Sequence, residues 1–309
     1  DAVGRLTGRP GVVFVTRGPG ATNGAHAIHV ARQDSVPLIM FVGQIERGMR
    51  EREAFQEVDY RAAFGPLAKW ATEIDDAARI PEIVARAFHV AMSGRPGPVV
   101  IALPEDMLVD EVRVADARRV EPLETHPGAA DMVALQARLA AAKAPVAIVG
   151  GTRWTAQAIA DFTAFAERYK LPVATSFRRQ TLFPPEHPCF AGDLGLGPNP
   201  KLIARIKAAD LVLAVNARLS EAPSQGYTLF DIPGDGARLV HVHPDSGELG
   251  RVYASALPIH ASPGPFAAAL AALPAPERTP WQSDTAASHE AYLGWTEPWR
   301  TCRKGSRSR

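Results

Sequence analysis

The chain has 309 residues, of which 46% are hydrophobic and 22% charged, so it is long enough for two domains with separate cores. Its 34 Lys and Arg residues balance 33 Asp and Glu residues, which argues against nucleic acid or an anionic membrane as a partner. No apolar run approaches the ~18 residues that a membrane span needs. The only cysteines are Cys189 and Cys302, and their separation argues against a disulfide framework or thiolate metal site and favours a cytoplasmic protein.

A strand that passes through a glycine turn into a helix dominates the start of the chain. Residues 12–15 are apolar and predict a buried strand, Gly18-Pro19-Gly20 breaks it, and residues 21–31 have helical composition. Such a turn leaves backbone N–H groups free at the carboxyl edge of a sheet, where open α/β proteins bind ligands. The alternative is a tight turn in which glycine only supplies an unusual φ angle.

The first half of the chain continues as alternating strands and helices. Residues 36–43 predict a second buried strand ending beside Gln44, and the charged residues 46–57 predict a mobile loop with room for one helical turn. Residues 80–92 have helical spacing, and residues 99–103 predict a further strand. This βαβ order with a further αβ unit predicts a parallel sheet covered by helices.

A second αβ series follows a proline-containing stretch without periodicity. We expect helices at 132–142, 156–169, 202–208 and 265–273, and strands at 146–149, 172–175, 211–215 and 239–242. The fold class is therefore α/β with two doubly wound parallel-sheet domains. Gly150-Gly151 after a strand resembles half of a dinucleotide fingerprint, but the complete motif is absent.

These patterns divide the chain into four parts. We assign residues 1–112 to a first domain, 113–128 to a linker, 129–275 to a second domain and 276–309 to a tail. Residues 1–8 resemble the last turn of a helix with its glycine stop. Residues 301–309 are basic and aperiodic, which is typical of a disordered tail.

Several motifs together resemble the acetolactate synthase-like group of thiamine diphosphate enzymes. They are the glycine turn, Asp34-Ser35-Val36-Pro37-Leu38, Gly43-Gln44, Ala54-Phe55-Gln56-Glu57, the segments 94–99 and 104–106, and the late strand and turn at 239–250. The resemblance implies an incomplete pyrimidine-binding domain followed by a Rossmann-like central domain. It also implies a thiamine diphosphate-dependent carboligase or decarboxylase of the transferase or lyase class, with Mg²⁺ and a small 2-oxo acid substrate.

The same resemblance implies that the catalytic and metal-binding residues lie outside this chain. The family's catalytic glutamate would precede Asp1, and the diphosphate- and Mg²⁺-binding domain would follow the central domain. Gly234-Asp235-Gly236 has the letters of the metal motif, but no Asn follows Asn216. Gly192-Asp193-Leu194 lacks the last glycine and a preceding strand. We therefore expect no catalytic and no metal-ligating residue here, and no turnover by the chain alone.

On the thiamine side, the resemblance implies that Gly18, Gly20 and Asn23 shape the wall beside the aminopyrimidine, with Gln44 behind it. Phe55 and Gln56 would face the reacting carbon across the interface of a homodimer or homotetramer. Simpler structural roles remain open for three of these residues. Phe55 would then anchor its loop in the core, Gln44 would secure a strand end by hydrogen bonding, and Asn23 would cap a helix.

FAD is a further cofactor that the resemblance allows in the central domain. The residues expected at it are Gly150, Gly151, Thr175, Ser176, Ala217, Arg218 and Asp245. Departures weaken this transfer: Leu219-Ser220-Glu221 replaces an aromatic and acidic run, His243 replaces an Asp, and Glu46 replaces a proline. They favour a less specialised relative acting on 2-oxo acids. The alternative is a non-catalytic nucleotide-binding or assembly module that takes ADP or FAD.

Overall fold

The computed structural model describes residues 1–233 and 237–297 and contains two parallel sheets. The first sheet has the strand order β1-β2-β4-β3. Its strands are β1 (Gly11–Val15), β2 (Leu38–Gln44), β3 (Trp70–Glu73) and β4 (Pro98–Pro104), and its helices are α1 (Ala2–Thr7), α2 (Pro19–Asp34), α3 (Tyr60–Phe64) and α4 (Ile80–Met92).

Helices cover both faces of this sheet because its central strands carry long apolar runs, at residues 38–42 in β2 and 99–103 in β4. In β2, Leu38, Met40 and Val42 pack under α2 and α3, whereas Ile39 and Phe41 pack under α4. A continuous apolar run is the pattern of a parallel strand buried on both faces. The predicted doubly wound arrangement is therefore confirmed for the first domain.

Strand β1 differs from its prediction as a buried strand. Val12, Val13 and Phe14 are 50%, 39% and 71% exposed, although their backbone pairs in parallel with β2. The reason is position, because β1 lies at one of the two edges of its sheet and has a neighbouring strand on one side only. Phe14 has one aromatic neighbour, Phe41, whose ring centroid lies 4.7 Å from its own. The described part of the chain thus leaves an apolar sheet edge exposed.

The second sheet has six parallel strands in the order β10-β9-β8-β5-β6-β7. Its strands are β5 (Pro145–Val149), β6 (Val173–Ser176), β7 (Phe190–Leu194), β8 (Leu211–Val215), β9 (Leu239–His243) and β10 (Leu257–His260), and its helices are α5 (Ala129–Ala141), α6 (Ala156–Arg168), α7 (Pro200–Lys207), α8 (Pro263–Ala271) and α9 (Gln282–Thr296). The strand order reverses between β5 and β8, so a crevice is expected at their carboxyl ends.

Five of these strands and α-helices were not predicted: α3, β3, β7, β10 and α9. The three strands are short and lie at sheet edges, and the last two contain glycine, aspartate or proline, which are rare inside strands. Strand β7 also corrects the reading of Gly192-Asp193-Leu194, since these residues lie inside a strand rather than without one. Helix α9 lies in the segment expected to be a tail, and Trp281, which precedes it, is buried in the second core.

Candidate functional site

The predicted glycine turn adopts a conformation that only glycine accepts easily. Gly18 has a φ of 51°, is buried, and forms the N-cap of α2. Its N–H donates a hydrogen bond to the hydroxyl of Tyr60 at 2.7 Å. A Cβ atom at Gly18 would lie 2.8 Å from Cβ of Gln56, a distance that no side chain tolerates without movement. The strand-to-helix turn and the loop that carries Gln56 are thus in direct contact.

The outer surface of this turn carries two predicted residues that the fold leaves free. Asn23 is exposed in the second turn of α2, and its side chain has no hydrogen bond among the described residues. Because Gly18 is the N-cap, the alternative that Asn23 caps the helix is excluded. Phe55 is 78% exposed, so it does not anchor its loop in the core. Both side chains remain available to a ligand or a second subunit.

The loop at residues 46–57 is held by hydrogen bonds as well as by its contact with Gly18. The carboxylate of Glu57 accepts the N–H groups of Glu51 at 2.7 Å and Ala54 at 3.1 Å. Arg47 forms ion pairs with Asp106 and Asp110 at 2.8 and 2.9 Å. The single helical turn expected in this loop occurs at Arg47–Met49. The loop therefore presents Phe55 from a defined backbone.

Gln44 secures the end of strand β2 by hydrogen bonding, which was the alternative to a place beside the cofactor. Its Nε2 donates to the carbonyl of Val58 at 2.9 Å, and its Oε1 accepts the N–H of Ile45 at 2.9 Å. Glu73 lies 3.5 Å from the same Nε2 and forms an ion pair with Arg50. Gln44 is buried at the end of β2, so it supports the wall from behind by joining the strand to the loop.

Sequence reasoning missed Tyr60 and the role of Glu57. Tyr60 is 2% exposed, burial raises the pKa of its phenol, and its hydroxyl accepts the Gly18 N–H from 42 residues away in sequence. No local sequence pattern predicts a contact between residues so far apart in the chain. Glu57 had a signal, since its two accepted N–H groups lie three and six residues before it.

In the second domain, the glycines predicted for a nucleotide serve close packing of the chain. A Cβ at Gly150 would lie 2.9 Å from Cα of Ala217. A Cβ at Gly151 would lie 2.4 Å from the carbonyl oxygen of Asn216, and the φ of Gly151 is 68°. These two glycines let the loops after β5 and β8 touch at the point where the strand order reverses.

The first domain occupies the mouth of this crevice. Thr152 donates to the carbonyl of Ser35 at 2.8 Å, and Arg218 donates to the carbonyl of Gln33 at 2.9 Å. The cavity that remains among Gly151, Ser176, Arg218 and residues 33–35 measures about 50 Å³. Small-molecule pockets measure about 300–1,000 Å³. Three of the residues named for FAD, Gly151, Ser176 and Arg218, are therefore brought together around a space smaller than such pockets.

A charged cluster seals the domain interface beside that crevice. Glu248 is 5% exposed and accepts a hydrogen bond from Arg218 at 3.1 Å, while Arg95 lies 3.8 Å away. Arg251 adds a third guanidinium at 3.2 Å. Burial alone would raise the pKa of Glu248, but Arg218 and Arg95 hold it below its usual value. The predicted residue Asp245 instead accepts the N–H of Gly247, two residues further along the chain, at 2.9 Å.

The remaining predicted positions have no ligand-binding geometry of their own. Thr175 is completely buried, and its hydroxyl has no partner among the described residues. Gly234-Asp235-Gly236 lies outside the described residues. Within residues 1–233 and 237–297, no group of three His, Cys, Asp or Glu side chains is placed to hold a metal ion. None of the helices in those ranges has the length and apolarity of a membrane span.

Comparison with known families identifies the class to which this fold belongs. Residues 1–63 match the N-terminal TPP binding domain of thiamine pyrophosphate enzymes, and residues 133–270 match the central domain of the same enzymes. The chain belongs to the thiamine pyrophosphate enzyme family. The resemblance inferred from its motifs is thereby confirmed.

Individual proteins within the family are also similar to this chain. The chain is 32% identical over 260 residues to the acetolactate synthase large subunit of Corynebacterium glutamicum and 32% identical over 249 residues to the glyoxylate carboligase of Escherichia coli O157:H7. These matches cover 82% and 79% of this chain but 41% of each relative. The structure of benzoylformate decarboxylase from Polynucleobacter necessarius is similar with a TM-score of 0.75 and 25% identity, covering 89% of this chain and 51% of that one.

Proposed function

We propose that this chain is the pyrimidine-binding and central part of a longer thiamine diphosphate-dependent enzyme that acts on small 2-oxo acids as a carboligase or decarboxylase. The observation that carries the proposal is the turn at Gly18, where a glycine of positive φ touches Gln56 and leaves Asn23 and Phe55 exposed beside it. Relatives named for acetolactate and glyoxylate chemistry support this substrate class.

The residues of the turn would hold one half of the cofactor. Gly18, Gly20 and Asn23 would form the wall beside the aminopyrimidine, Gln56 would close it, and Phe55 would face the reacting carbon. When bound, thiamine diphosphate supplies the electron sink for decarboxylation of a 2-oxo acid. This chain contributes orientation and exclusion of water. Since the chain spans 41% of the length of the Corynebacterium acetolactate synthase large subunit, we assign the catalytic acid–base residue and the Mg²⁺ site to the remainder of the enzyme.

Exposed apolar side chains of the β1 edge and of the loop at residues 46–57 support an assembly of two or four identical subunits. Phe14, Val12 and Phe55 are 71%, 50% and 78% exposed on this chain. Apolar surface of this kind marks interaction sites.

The low cysteine content supports a cytoplasmic location. FAD is left out of the proposal because the crevice among its expected residues measures about 50 Å³.

The test is CO₂ release from pyruvate or glyoxylate with thiamine diphosphate and Mg²⁺. We expect no release above the protein-free blank from the 309-residue chain. We expect release from the extended protein, meaning this chain lengthened by its own flanking coding sequence to the length of its relatives. Release by the shorter chain contradicts the assignment of the catalytic groups, and a silent extended protein that binds thiamine diphosphate contradicts the substrate class.

A further inference from the structure

A large groove lies between the two domains, next to the closed crevice. Its volume is about 1330 Å³. Its walls are one side of α4 and the loop that joins β5 to α6, and the linker at residues 116–122 and the turn around Gly8 also line it. This volume exceeds the range of about 300–1,000 Å³ that ligand pockets usually have. Neither the thiamine wall nor the cluster at Glu248 uses this space.

One wall of the groove is apolar. Ile80, Val84 and Phe88 line it at intervals of four residues, so they lie on one side of α4. All three are half-buried, which leaves part of each side chain open to the groove. Leu6 is 86% exposed at the end of α1 and also lines the groove, as does Trp154. The wall therefore offers a surface for an aliphatic or aromatic group.

The charged residues that line the groove are mostly cationic. Seven arginines and three carboxylates line the groove: Arg5, Arg9, Arg118, Arg119, Arg153, Arg178 and Arg179 with Asp116, Glu121 and Glu124. Internal partners account for four of the arginines. Arg153 pairs with Glu124 and Arg119 with Glu121, while Arg5 and Arg178 both pair with Asp34.

Three of these guanidinium groups form no ion pair among the described residues, although Arg179 lies in the field of the Asp34 carboxylate. Arg9 and Arg118 are exposed and form no ion pair. Arg179 donates only to the backbone carbonyls of Asp34 and Arg178, at 2.5 and 3.4 Å. Helices α4 and α6 both begin at the groove, so the positive ends of two 13-residue helix dipoles add to this field. Unpaired arginines next to helix N-termini favour phosphate oxygens.

We propose that this groove binds an organic phosphate, a small molecule whose phosphate or diphosphate contacts Arg9, Arg118 and Arg179 and whose apolar body rests on the α4 wall. Charge complementarity and the apolar wall together select such an amphiphilic anion over a simple inorganic ion. The site does not depend on thiamine chemistry, so its outcome is separate from that of the proposed function.

Isothermal titration calorimetry tests this site with ADP as the probe, because ADP joins a diphosphate to an aromatic base. Arg9→Glu/Arg118→Glu is expected to weaken ADP binding at least tenfold, because both side chains are exposed and unpaired and their reversal spares the fold. The matched control is Arg61→Glu/Arg113→Glu, which reverses two exposed arginines outside the groove. We expect the control to bind ADP within twofold of the parent chain.

Two further arms separate the parts of the site. Leu6→Ser is expected to weaken ADP binding while leaving pyrophosphate binding unchanged, because it removes apolar surface only. Equal ADP affinity in the groove variant and its control would overturn the proposal. Loss of ADP binding in Arg218→Ala with retention in the groove variant would also overturn it, since the ligand would then occupy the crevice between β5 and β8. Absence of ADP binding at millimolar concentration would overturn it as well.

Discussion

Glu248→Gln is expected to lower the free energy of unfolding by about 3–5 kcal/mol, the range for breaking a buried ion pair from one side. Glu248 and the Arg95 side chain are 5% and 7% exposed. Water therefore cannot solvate the guanidinium group of Arg95 once the carboxylate is lost. Glutamine keeps the shape of the carboxylate and one acceptor oxygen. It cannot balance the guanidinium groups of Arg95 and Arg218. Arg95 approaches Glu248 from the first domain, and Arg218 of the second domain also donates to the carbonyl of Gln33 in the first.

Urea unfolding of the substituted and parent chains measures this change. Glu82→Gln is the matched control, because it removes a carboxylate from the exposed pair between Arg79 and Glu82 within α4 and its N-cap. We expect the control to unfold at the parent's urea concentration. If Glu248→Gln also unfolds there, the cluster does not stabilise the domain interface.

The stability of the parent chain is expected to fall by about 2 kcal/mol between pH 6.5 and pH 5 through His243 alone, at about 1.4 kcal/mol per pH unit. Burial, with a smaller contribution from His241, lowers the pKa of His243 to about 4. In the unfolded chain His243 takes up a proton near pH 6.5, whereas in the folded chain its ring stays neutral until about pH 4. The stabilisation is therefore fully present above pH 6.5 and is lost as the pH falls.

The geometry agrees with a neutral ring at this position. With the ring neutral, Nδ1 of His243 accepts the N–H of Asp245 at 3.1 Å. The carbonyl oxygen of Asp245 lies 3.3 Å from the same nitrogen and opposes the lowering of its pKa, but burial outweighs it. His241 accompanies it in β9, and burial lowers its pKa as well. Both rings lie in the field of Glu248, which opposes the shift but does not reverse it.

The measurement is the free energy of unfolding at pH 7, 6 and 5, for the parent and for His243→Asn. Asparagine can still accept the Asp245 N–H but does not titrate. The slope of the free energy of unfolding against pH should therefore be smaller in His243→Asn than in the parent, by the amount that the uptake of about one proton contributes. His126→Asn, at an exposed linker position, should keep the parent's slope. A slope in His243→Asn equal to that of the parent would show that His243 is not the titrating group.

The regular elements could be predicted where the sequence has a pattern with one physical solution. The predicted helix at 80–92 is α4 (Ile80–Met92), because its buried residues recur with helical spacing and a proline stands in its first turn. Strand β2 was predicted because an apolar run between polar residues fits a strand buried on both faces. The glycine turn was predicted because two glycines around a proline interrupt both strand and helix and are typical of a turn.

The remaining features depend on which parts of the chain meet. The residues of β1 and β2 are similarly apolar, yet only β2 is buried, because β1 lies at an edge. The contact between Tyr60 and Gly18 spans 42 residues. The crevice at Gly151 depends on how the first domain places Ser35 against Thr152. None of these three has a periodic or local signature.

We propose that the turn at Gly18 and the first turns of α2 hold the thiamine cofactor. The most direct test of this placement is the thiamine diphosphate concentration that half-saturates CO₂ release by the extended protein carrying Asn23→Ala. Asn23 is exposed and unpartnered among the described residues, so this change should not affect folding. His26→Ala, also exposed and one turn further along α2, is the control.

We predict that Asn23→Ala raises this concentration about tenfold, as expected for about 1.4 kcal/mol of lost contact energy, with an unchanged melting temperature. The control should keep the parent's value. Equal half-saturation in both variants would contradict the placement of the cofactor at this turn.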